Sequence, residues 1–513
     1  MKSSSEKENQ AFIDLLKSKL DSTKKNQYDK GVVIYASDGI AAIAFLPQAK
    51  MSNVITFSSG ETGIIMNLER DFVLASILGD SSSVKEGDFV TIKSDTFKIK
   101  TGLNLLGRVL NGLGDPIDGL GEIVGVESEV EKMAPGVMTR KSVHEPIQTG
   151  ILAIDALIPI GRGQRELIIG DRKTGKTSIA IDAIINQAII NKDKDDNEKV
   201  YSVYVAIGQK LSSLARIVET LKKYDAMKYT VVISSTSSDS AAMQYFAPYV
   251  GCSIAEFFRD NKMHSLIVYD DLSKHAVAYR QMSLLLKRQP SREAYPSDVF
   301  YIHSKLLERS AKLSAEFGSG SMTSLPIIET QAGDVSGYIP TNVISITDGQ
   351  IFLETSLFLK GIMPAINVGL SVSRVGSAAQ VKAVKKFSSN LKLSLAQFRE
   401  LEAFSQFASD MDESSKLMLA RGEKMVELLK QNNFNPISME AESALLLMAN
   451  KNLMDFLSTK QIKDFKSKII QELSSNHKDL CDKIEQSKDI DEDSQNQILE
   501  IAKKIISTLK DIS

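Results

Sequence analysis

The chain has 513 residues, of which 43% are apolar and 25% charged, with 62 basic and 64 acidic side chains. This length predicts two to four domains, and the composition is typical of a globular protein. The near balance of charge argues against a nucleic-acid-binding protein that relies on a basic face. Its two cysteines indicate reduced thiols, not a disulfide framework.

Residues 1–27 are charged, and four apolar residues recur among them at helical spacing: Phe12, Ile13, Leu16 and Leu20. This pattern predicts a short amphipathic helix, although a frayed polar terminus explains it equally well. The first ten residues lack the apolar centre of a signal peptide, and no apolar run approaches the roughly 20 residues of a membrane span. We therefore expect a cytosolic chain that reaches a membrane only through partners.

Short apolar runs alternate with turn residues between residues 28 and 98. These runs are Gly31–Tyr35, Ile40–Phe45, Gly63–Leu68 and Phe72–Leu78. Short strands separated by turns predict a small β-barrel or sandwich.

Residues 99–380 alternate strands with helices, which predicts an α/β domain around a mostly parallel sheet. The predicted strands are Glu166–Ile169, Val200–Ile207, Tyr229–Ser234 and Ser265–Tyr269, and Lys176–Ile190 is a predicted helix. Residues 381–513 predict a C-terminal helical domain. Its predicted helices are Leu391–Ser409, Ser414–Lys430 and, among two or three more, Met439–Met448 and Gln497–Leu509.

Residues 170–177 fit the phosphate-binding pattern G-x-x-x-x-G-K-[ST], between a predicted strand and a predicted helix. The predicted nucleotide-binding residues are Gly170, Asp171, Arg172, Lys173, Thr174, Gly175, Lys176, Thr177 and the following Ser178. Backbone N–H groups and the positive end of the helix suit phosphates. We expect Lys176 to reach the outer phosphates of ATP or ADP and the Thr177 hydroxyl to bind Mg²⁺.

A second motif supports this interpretation. The apolar strand Ser265–Tyr269 ends in Asp270-Asp271, and a carboxylate at the end of such a strand can hold Mg²⁺ through water. Asp270 leaves the strand first and is the better candidate. Asp271 could instead cap the next helix.

Seven longer strings resemble the α subunits of F-type ATP synthases. They span Arg140–Gly150, Pro159–Arg165, Tyr269–Lys274, Ala278–Ser283, Arg292–Pro296, Val343–Gly349 and Pro364–Ser377. The resemblance runs from about Gly31 to Lys430. It implies a P-loop (RecA-like) central domain between an N-terminal β-barrel and a C-terminal helical domain.

The resemblance also implies partners. In that family three α subunits alternate with three catalytic β-type subunits around a rotating γ-type shaft, and the α N-terminus docks a peripheral stalk or δ-type subunit. We expect no nucleic-acid partner, and a peripheral position on the cytoplasmic face of the cell membrane within this complex. Both subunit types bind nucleotide, but only the β sites turn it over.

Two residues acquire expected roles from the resemblance. The catalytic β relatives carry a glutamate where this chain has Gln209, and a neutral amide cannot act as a base in the same way. Arg374 stands where the family's arginine finger reaches the γ-phosphate in the neighbouring β site. A planar, permanently charged guanidinium suits the charge on the transferring phosphoryl oxygens.

The resemblance also implies contacts to the base. Gln431 matches a family glutamine near adenine, and Asn433 stands where a second glutamine is usual. Other departures are Lys173 for glutamine, Leu359 for tyrosine and Met363 for arginine. These differences bear on affinity and base selectivity, and they leave Lys176, Thr177, Asp270 and Arg374 untouched.

Three alternatives stay open at this point. The chain could serve a divergent F-type-like motor coupled to something other than ion transport. It could be a stand-alone hexameric P-loop translocase, against which charge balance and Gln209 argue. It could also be a structural ring protein without nucleotide, against which the intact Lys176, Thr177 and Asp270 argue.

Overall fold

A computed structural model describes residues 30–405 and 412–510. The helix predicted in residues 1–27 lies outside the described residues, as does the end of the one predicted over Leu391–Ser409. No helix in the described ranges is both long and apolar enough to cross a membrane.

The first domain is a closed six-stranded barrel. Its strands β1 to β6 are Gly31–Ser37, Ile40–Ala44, Val54–Phe57, Thr62–Leu68, Phe72–Ile77 and Phe89–Ser94. They follow one another around the barrel in the order β1-β2-β5-β4-β3-β6, and every pair is antiparallel. Inward-facing apolar side chains fill the interior, including Ile43, Ile55, Phe57, Ile65 and Ile77. The predicted barrel is therefore confirmed, and its strands β3 and β6 lie outside the apolar runs named from the sequence.

The central domain is built on an eight-stranded sheet. Its strands are β8 (Val109–Asn111), β12 (Leu167–Gly170), β13 (Val200–Gln209), β14 (Thr230–Thr236), β15 (His264–Asp270), β16 (Ser321–Glu329), β17 (Gly349–Leu353) and β18 (Val372–Ser373). They lie side by side in the order β18-β17-β12-β16-β15-β13-β14-β8. All neighbouring pairs are parallel except β17 with β18. Two small ribbons flank it: β7 (Lys98–Thr101) with β9 (Val126–Glu129), and β10 (Pro146–Ile147) with β11 (Ile160–Gly161).

Helices accompany this sheet, as the alternating pattern predicts. They are α1 (Leu152–Leu157), α2 (Lys176–Ile190), α3 (Leu211–Lys223), α4 (Ala241–Asp260), α5 (Leu272–Leu285), α6 (Val299–Leu307), α7 (Tyr338–Ile346) and α8 (Thr355–Leu359). The strands β13 and β15 are buried along almost their whole length, so they read as apolar runs without alternation.

The C-terminal domain is helical, as predicted. Its helices are α9 (Lys382–Ser405), α10 (Glu413–Leu429), α11 (Met439–Asn450), α12 (Thr459–Asn476), α13 (Lys478–Ser487) and α14 (Glu492–Lys510). Every residue of α11 from Met439 to Ala449 is buried, so α11 is the centre of this domain. The sequence analysis placed the start of α9 at Leu391, although the helix begins at Lys382, and it expected fewer helices after α10.

A buried cluster of charges lies in the central domain. Arg309 is fully buried, and its guanidinium donates to both carboxylate oxygens of Glu256, at 2.9 Å for Oε1 and 2.5 Å for Oε2. It also donates to the Val130 carbonyl and the Ser253 hydroxyl, each at 2.9 Å. Glu256 also lies 3.4 Å from Arg259, which pairs more closely with the partly exposed Asp260, at 2.8 Å.

We expect Glu256→Gln to lower the free energy of unfolding by about 3–5 kcal/mol, because the buried Arg309 guanidinium then lacks its counter-charge. Denaturant titration of the chain measures this loss. A matched control is Glu127→Gln, which breaks an exposed pair with Lys98 at 3.9 Å and should cost about 0.2–1 kcal/mol. Equal effects of the two substitutions would contradict the assigned role of Glu256.

Candidate functional site

The predicted phosphate-binding loop lies between the end of β12 and the start of α2. Gly175 precedes the helix with φ 100°, a left-handed conformation that glycine adopts without strain. At Gly170 a Cβ would lie 2.6 Å from the Leu353 carbonyl oxygen, so only glycine fits against β17. The loop therefore leads directly into a helix N-terminus, where free N–H groups attract anions.

Lys176 is the first residue of α2, and its side chain is buried over the loop. The ammonium donates to the carbonyl oxygens of Gly170, at 2.8 Å, and of Asp171, at 2.5 Å. Burial lowers the pKa of Lys176, while the carboxylates of Glu329, Asp271 and Asp270 act in the opposite direction. The geometry thus holds a cation inside the loop.

Thr177 and Asp270 come together across the sheet edge. The Thr177 hydroxyl donates to Asp270 Oδ2 at 2.6 Å, and the Tyr204 hydroxyl donates to the same oxygen at 2.7 Å. Burial raises the pKa of Tyr204 well above its usual value, so its phenol keeps the proton that it donates. A hydroxyl beside a carboxylate is an all-oxygen donor set, which suits Mg²⁺. Tyr204 was not predicted from the sequence, where it is marked only by its polar hydroxyl within the apolar strand β13.

Gln209 ends β13 beside this pair. Its Nε2 donates to the backbone carbonyl of Asp270 at 3.0 Å and to the Tyr204 hydroxyl at 3.4 Å. Asp271 has a different position from Asp270, because its carboxylate caps α5 by accepting from the Lys274 N–H at 2.8 Å. The structure therefore brings Asp270, and not Asp271, to the Thr177 hydroxyl.

Asp171 ties the loop to distant segments. Its carboxylate accepts hydrogen bonds from the Thr330 hydroxyl at 2.7 Å, the Gly333 N–H at 2.8 Å and the Thr355 hydroxyl at 2.9 Å. Burial favours the neutral acid, but these three donors together with Lys176 lower the pKa of Asp171 below its usual value. The side chain thus supports the loop, which the sequence pattern did not reveal.

The remaining predicted loop residues differ in exposure. Arg172 is exposed and pairs with Glu329 at 2.8 Å. Lys173 is exposed, with φ 63°, and Ser178 lies in the first turn of α2. Thr174 is buried, and its hydroxyl donates to the Asp171 carbonyl at 2.8 Å.

A pocket adjoins the loop. Its lining comprises Ile151, Thr174, Gly175, Ile179, Asp182, Phe358, Met363, Pro364, Ala365, Gln431, Asn432 and Asn433. Apolar walls with a few polar groups are typical of small-molecule sites. Gln431 and Asn433 both line it, as the predicted base contacts require.

The Gln431 amide is already engaged on the protein. Its Nε2 donates to the carbonyls of Gly150 at 2.7 Å and Asn435 at 2.9 Å, and its Oε1 accepts from the Leu152 N–H at 3.2 Å. Both amide hydrogens therefore position the pocket wall. Asp182 accepts from the Phe434 N–H at 2.6 Å and holds the same loop on α2, and burial raises the pKa of Asp182 to about 7.

Arg374 lies near the amino-terminal ends of the parallel strands, whereas the phosphate-binding loop lies at their carboxyl ends. Gly170 pairs with Leu353 at the end of β17, whereas Ser373 pairs with Gly349 at its start. Gly349 and Leu353 are four residues apart on β17, which at roughly 3.3 Å per residue is about 13 Å. Arg374 is exposed, and its backbone N–H donates to the Asp348 carbonyl at 2.8 Å. The structure does not bring Arg374 to the phosphate-binding loop of its own chain.

Comparison with known families gives three matches along the chain. Residues 28–92 match the beta-barrel domain of the ATP synthase alpha/beta family, residues 150–373 its nucleotide-binding domain, and residues 380–505 the C-terminal domain of the ATP synthase alpha/beta chain. The chain belongs to the ATP synthase alpha/beta family. These matches confirm the predicted arrangement of barrel, nucleotide-binding domain and helical domain.

Individual relatives agree with the family. The chain is 55% identical over 487 residues to the ATP synthase subunit alpha of Ehrlichia ruminantium (strain Gardel), covering 94% of this chain and 95% of the relative. It is 55% identical to that of Rickettsia bellii (strain OSU 85-389), covering 91% and 92%. It is 54% identical to that of Ehrlichia canis (strain Jake), covering 94% of both. The predicted resemblance to α subunits is therefore confirmed, as are ATP or ADP binding and the enzyme class of ATP synthesis or hydrolysis within a complex.

We expect Asp171→Ala to weaken ATP binding at least about tenfold, equivalent to 1.4 kcal/mol, because the loop loses three anchoring bonds. Calorimetric titration of the chain with ATP measures this change. Asp334→Ala is a matched control in the same surface segment, since among the described residues the Asp334 side chain bonds only within its own turn, to Ser336. Unchanged affinity in Asp171→Ala would show that the loop holds its shape without this carboxylate.

Proposed function

We propose that the chain is the α-type subunit of an F-type rotary ATPase, which holds ATP at its own site without cleaving it. It supplies Arg374 to the catalytic site of a neighbouring β-type subunit. The position of Arg374 supports this proposal. The residue is exposed and lies at the ends of the strands opposite the phosphate-binding loop, where its guanidinium is accessible to another chain. An arginine finger stabilises the charge that spreads over the transferring phosphoryl oxygens.

The non-catalytic role rests on Gln209. A base that activates water must accept a proton, and a neutral amide at the end of β13 cannot do so. Its Nε2 already donates toward the Asp270 carbonyl and the Tyr204 hydroxyl. Gln209 therefore supports the neighbouring carboxylate and leaves bound ATP without a general base at this position.

Mg²⁺ would be held by the Thr177 hydroxyl and the Asp270 carboxylate, whose oxygens lie 2.6 Å apart. When bound, the ion neutralises phosphate charge. Tyr204 orients the carboxylate for this purpose, because its hydroxyl holds Oδ2 from the side of β13. Lys176 supplies the remaining positive charge from within the loop.

The proposed assembly follows from the family. Three copies of this chain alternate with three catalytic β-type subunits around a γ-type shaft, and a δ-type or stalk subunit attaches at the N-terminal end. Contact with the cytoplasmic face of the cell membrane is peripheral and occurs through these partners. Coupling to ion transport, commonly of protons, then belongs to the complex.

Arg374→Ala should lower ATP hydrolysis by the assembled complex about 10³–10⁵-fold, because the neighbouring site loses its finger. Nucleotide bound at this chain's own site should be unaffected, since Arg374 lies at the opposite ends of the strands. Steady-state turnover and nucleotide content of the purified complex measure both. The exposed Arg216→Ala on α3 is the control for loss of a surface guanidinium. Normal turnover by the Arg374 variant would refute the finger role.

Lys176→Ala should abolish nucleotide binding at this chain's site while the complex keeps part of its hydrolytic activity. The reason is that the loop loses its buried cation, whereas the catalytic β-type sites keep theirs. Counting nucleotide per complex alongside turnover separates the two sites. A complete loss of turnover in intact complexes would show that this chain's site takes part in the chemistry.

A further inference from the structure

Two buried carboxyl groups meet where the nucleotide-binding domain packs against the C-terminal helices. Asp155 belongs to α1 and is 8% exposed, and Glu442 belongs to α11 and is 1% exposed. The two carboxyl groups lie within hydrogen-bonding reach of each other and line one small cavity together with Gln380. Two carboxylates in such contact cannot both be ionised in a buried site, so one of them must hold a proton.

The surrounding donors show which group is ionised. Asp155 Oδ1 accepts from the Thr149 N–H at 3.0 Å and the Thr149 hydroxyl at 2.8 Å, and Oδ2 accepts from the Gly150 N–H at 2.9 Å. Burial raises the pKa of Asp155 to about 6, but these three donors act against that shift and favour its carboxylate form. In the described part of the chain, Glu442 Oε1 has no hydrogen-bond partner. Glu442 is therefore the neutral acid, and its proton lies toward Asp155.

Other charged groups around the pair do not replace this proton. The Lys466 ammonium on α12 acts electrostatically on Glu442, but it donates to the carbonyls of Leu428 and Lys430, each at 2.8 Å. Glu440 on α11 has the same sign as Glu442 and favours its neutral form. The charged groups next further out are Glu427 near Lys466, and Glu485 and Lys488 near Glu440.

The pair is connected to the pocket beside the phosphate-binding loop. Asp155 holds the N–H of Gly150, whose carbonyl accepts from Gln431. The next residue, Ile151, lines that pocket, and Leu152 donates to the Gln431 amide oxygen. Glu442 thus acts on the pocket wall through Asp155 and is a positioning residue, not a catalytic one.

We propose that Asp155 and Glu442 share one proton, donated by Glu442, and that this bond fastens the C-terminal helices to the wall of the nucleotide pocket. Its effect on nucleotide affinity rests on the proposed function of that pocket. The proton sharing itself rests only on the contacts of the two side chains.

The bond makes stability depend on pH with a definite sign. Burial raises the pKa of Glu442 well above its usual value, so the folded chain keeps a proton that the unfolded chain releases above about pH 4.3. The stabilisation is complete below that unfolded pKa and is lost as pH rises through the folded pKa. In that window one extra bound proton changes the unfolding constant about tenfold per pH unit.

Glu442→Gln provides a permanent donor and should remove this one-proton slope while keeping the fold. Denaturant titration of the full chain at intervals between about pH 5 and about pH 9 measures the slope. Glu423→Gln, an exposed carboxylate on α10, is the matched control and should keep the slope. Asp155→Asn should destabilise the chain, because it places a donor against the Thr149 and Gly150 N–H groups.

An unchanged slope in Glu442→Gln would overturn the proposal, and so would tolerance of Asp155→Asn combined with loss of stability in Glu442→Gln. Infrared spectra of the wild-type chain with isotope-labelled glutamate test it without any variant. The carbonyl stretch of a protonated carboxyl group should persist at neutral pH, and its absence would also overturn the proposal.

ATP titration tests the link to the pocket. It is done at pH 8, about one and a half units above the usual histidine pKa, so that ordinary histidines are neutral. Glu442→Gln should bind ATP as tightly as the wild type, and Glu442→Ala about tenfold more weakly. Equal affinity in all three chains would refute the link. A wild-type chain that binds no ATP would refute the proposed function instead, while the pH slope would still decide the proton sharing.

Discussion

The hydrogen bond from the Thr177 hydroxyl to Asp270 joins the first turn of α2 to the end of β15 and thereby defines the site. It is possible because β12 and β15 run parallel on either side of β16, so that their carboxyl ends meet at one edge. Ligands of open α/β sheets bind at this edge for the same reason. The loop, the carboxylate of Asp270 and the amide of Gln209 all follow from that single arrangement.

The same topology separates the two expected functions of the chain. β18 is the only antiparallel strand of the described central sheet, and it returns along β17 to its start. Because of this reversal, Arg374 lies at the amino-terminal ends of the parallel strands, opposite the loop. A shared sheet can therefore bind nucleotide at one edge and present a guanidinium to a neighbouring chain at the other.

The sequence was informative where interactions are local. The helix Lys176–Ile190 was predicted with the bounds that it has, because a glycine, a lysine and an apolar run mark its start. The strands β3 and β6 were not named from the sequence. β3 has only 4 residues, and half of the residues of β6 are exposed. The partners of Asp171 lie more than 150 residues away, and no local pattern indicates them. The roles of Gln209 and Arg374 came from the family resemblance and stay proposals.

The pocket beside the loop shows why the C-terminal helices belong to the site. Its walls include residues 151, 363–365 and 431–433, which are remote in sequence, and the Gln431 amide ties the last segment to the first. Asp182 holds that segment on α2, and Asp155 meets Glu442 behind the first one. A movement of α11 would therefore strain hydrogen bonds that shape the pocket. Because these bonds connect α11 to the pocket wall through Asp155, Gly150 and Gln431, the packing of the helical domain and the shape of the nucleotide pocket are parts of one network.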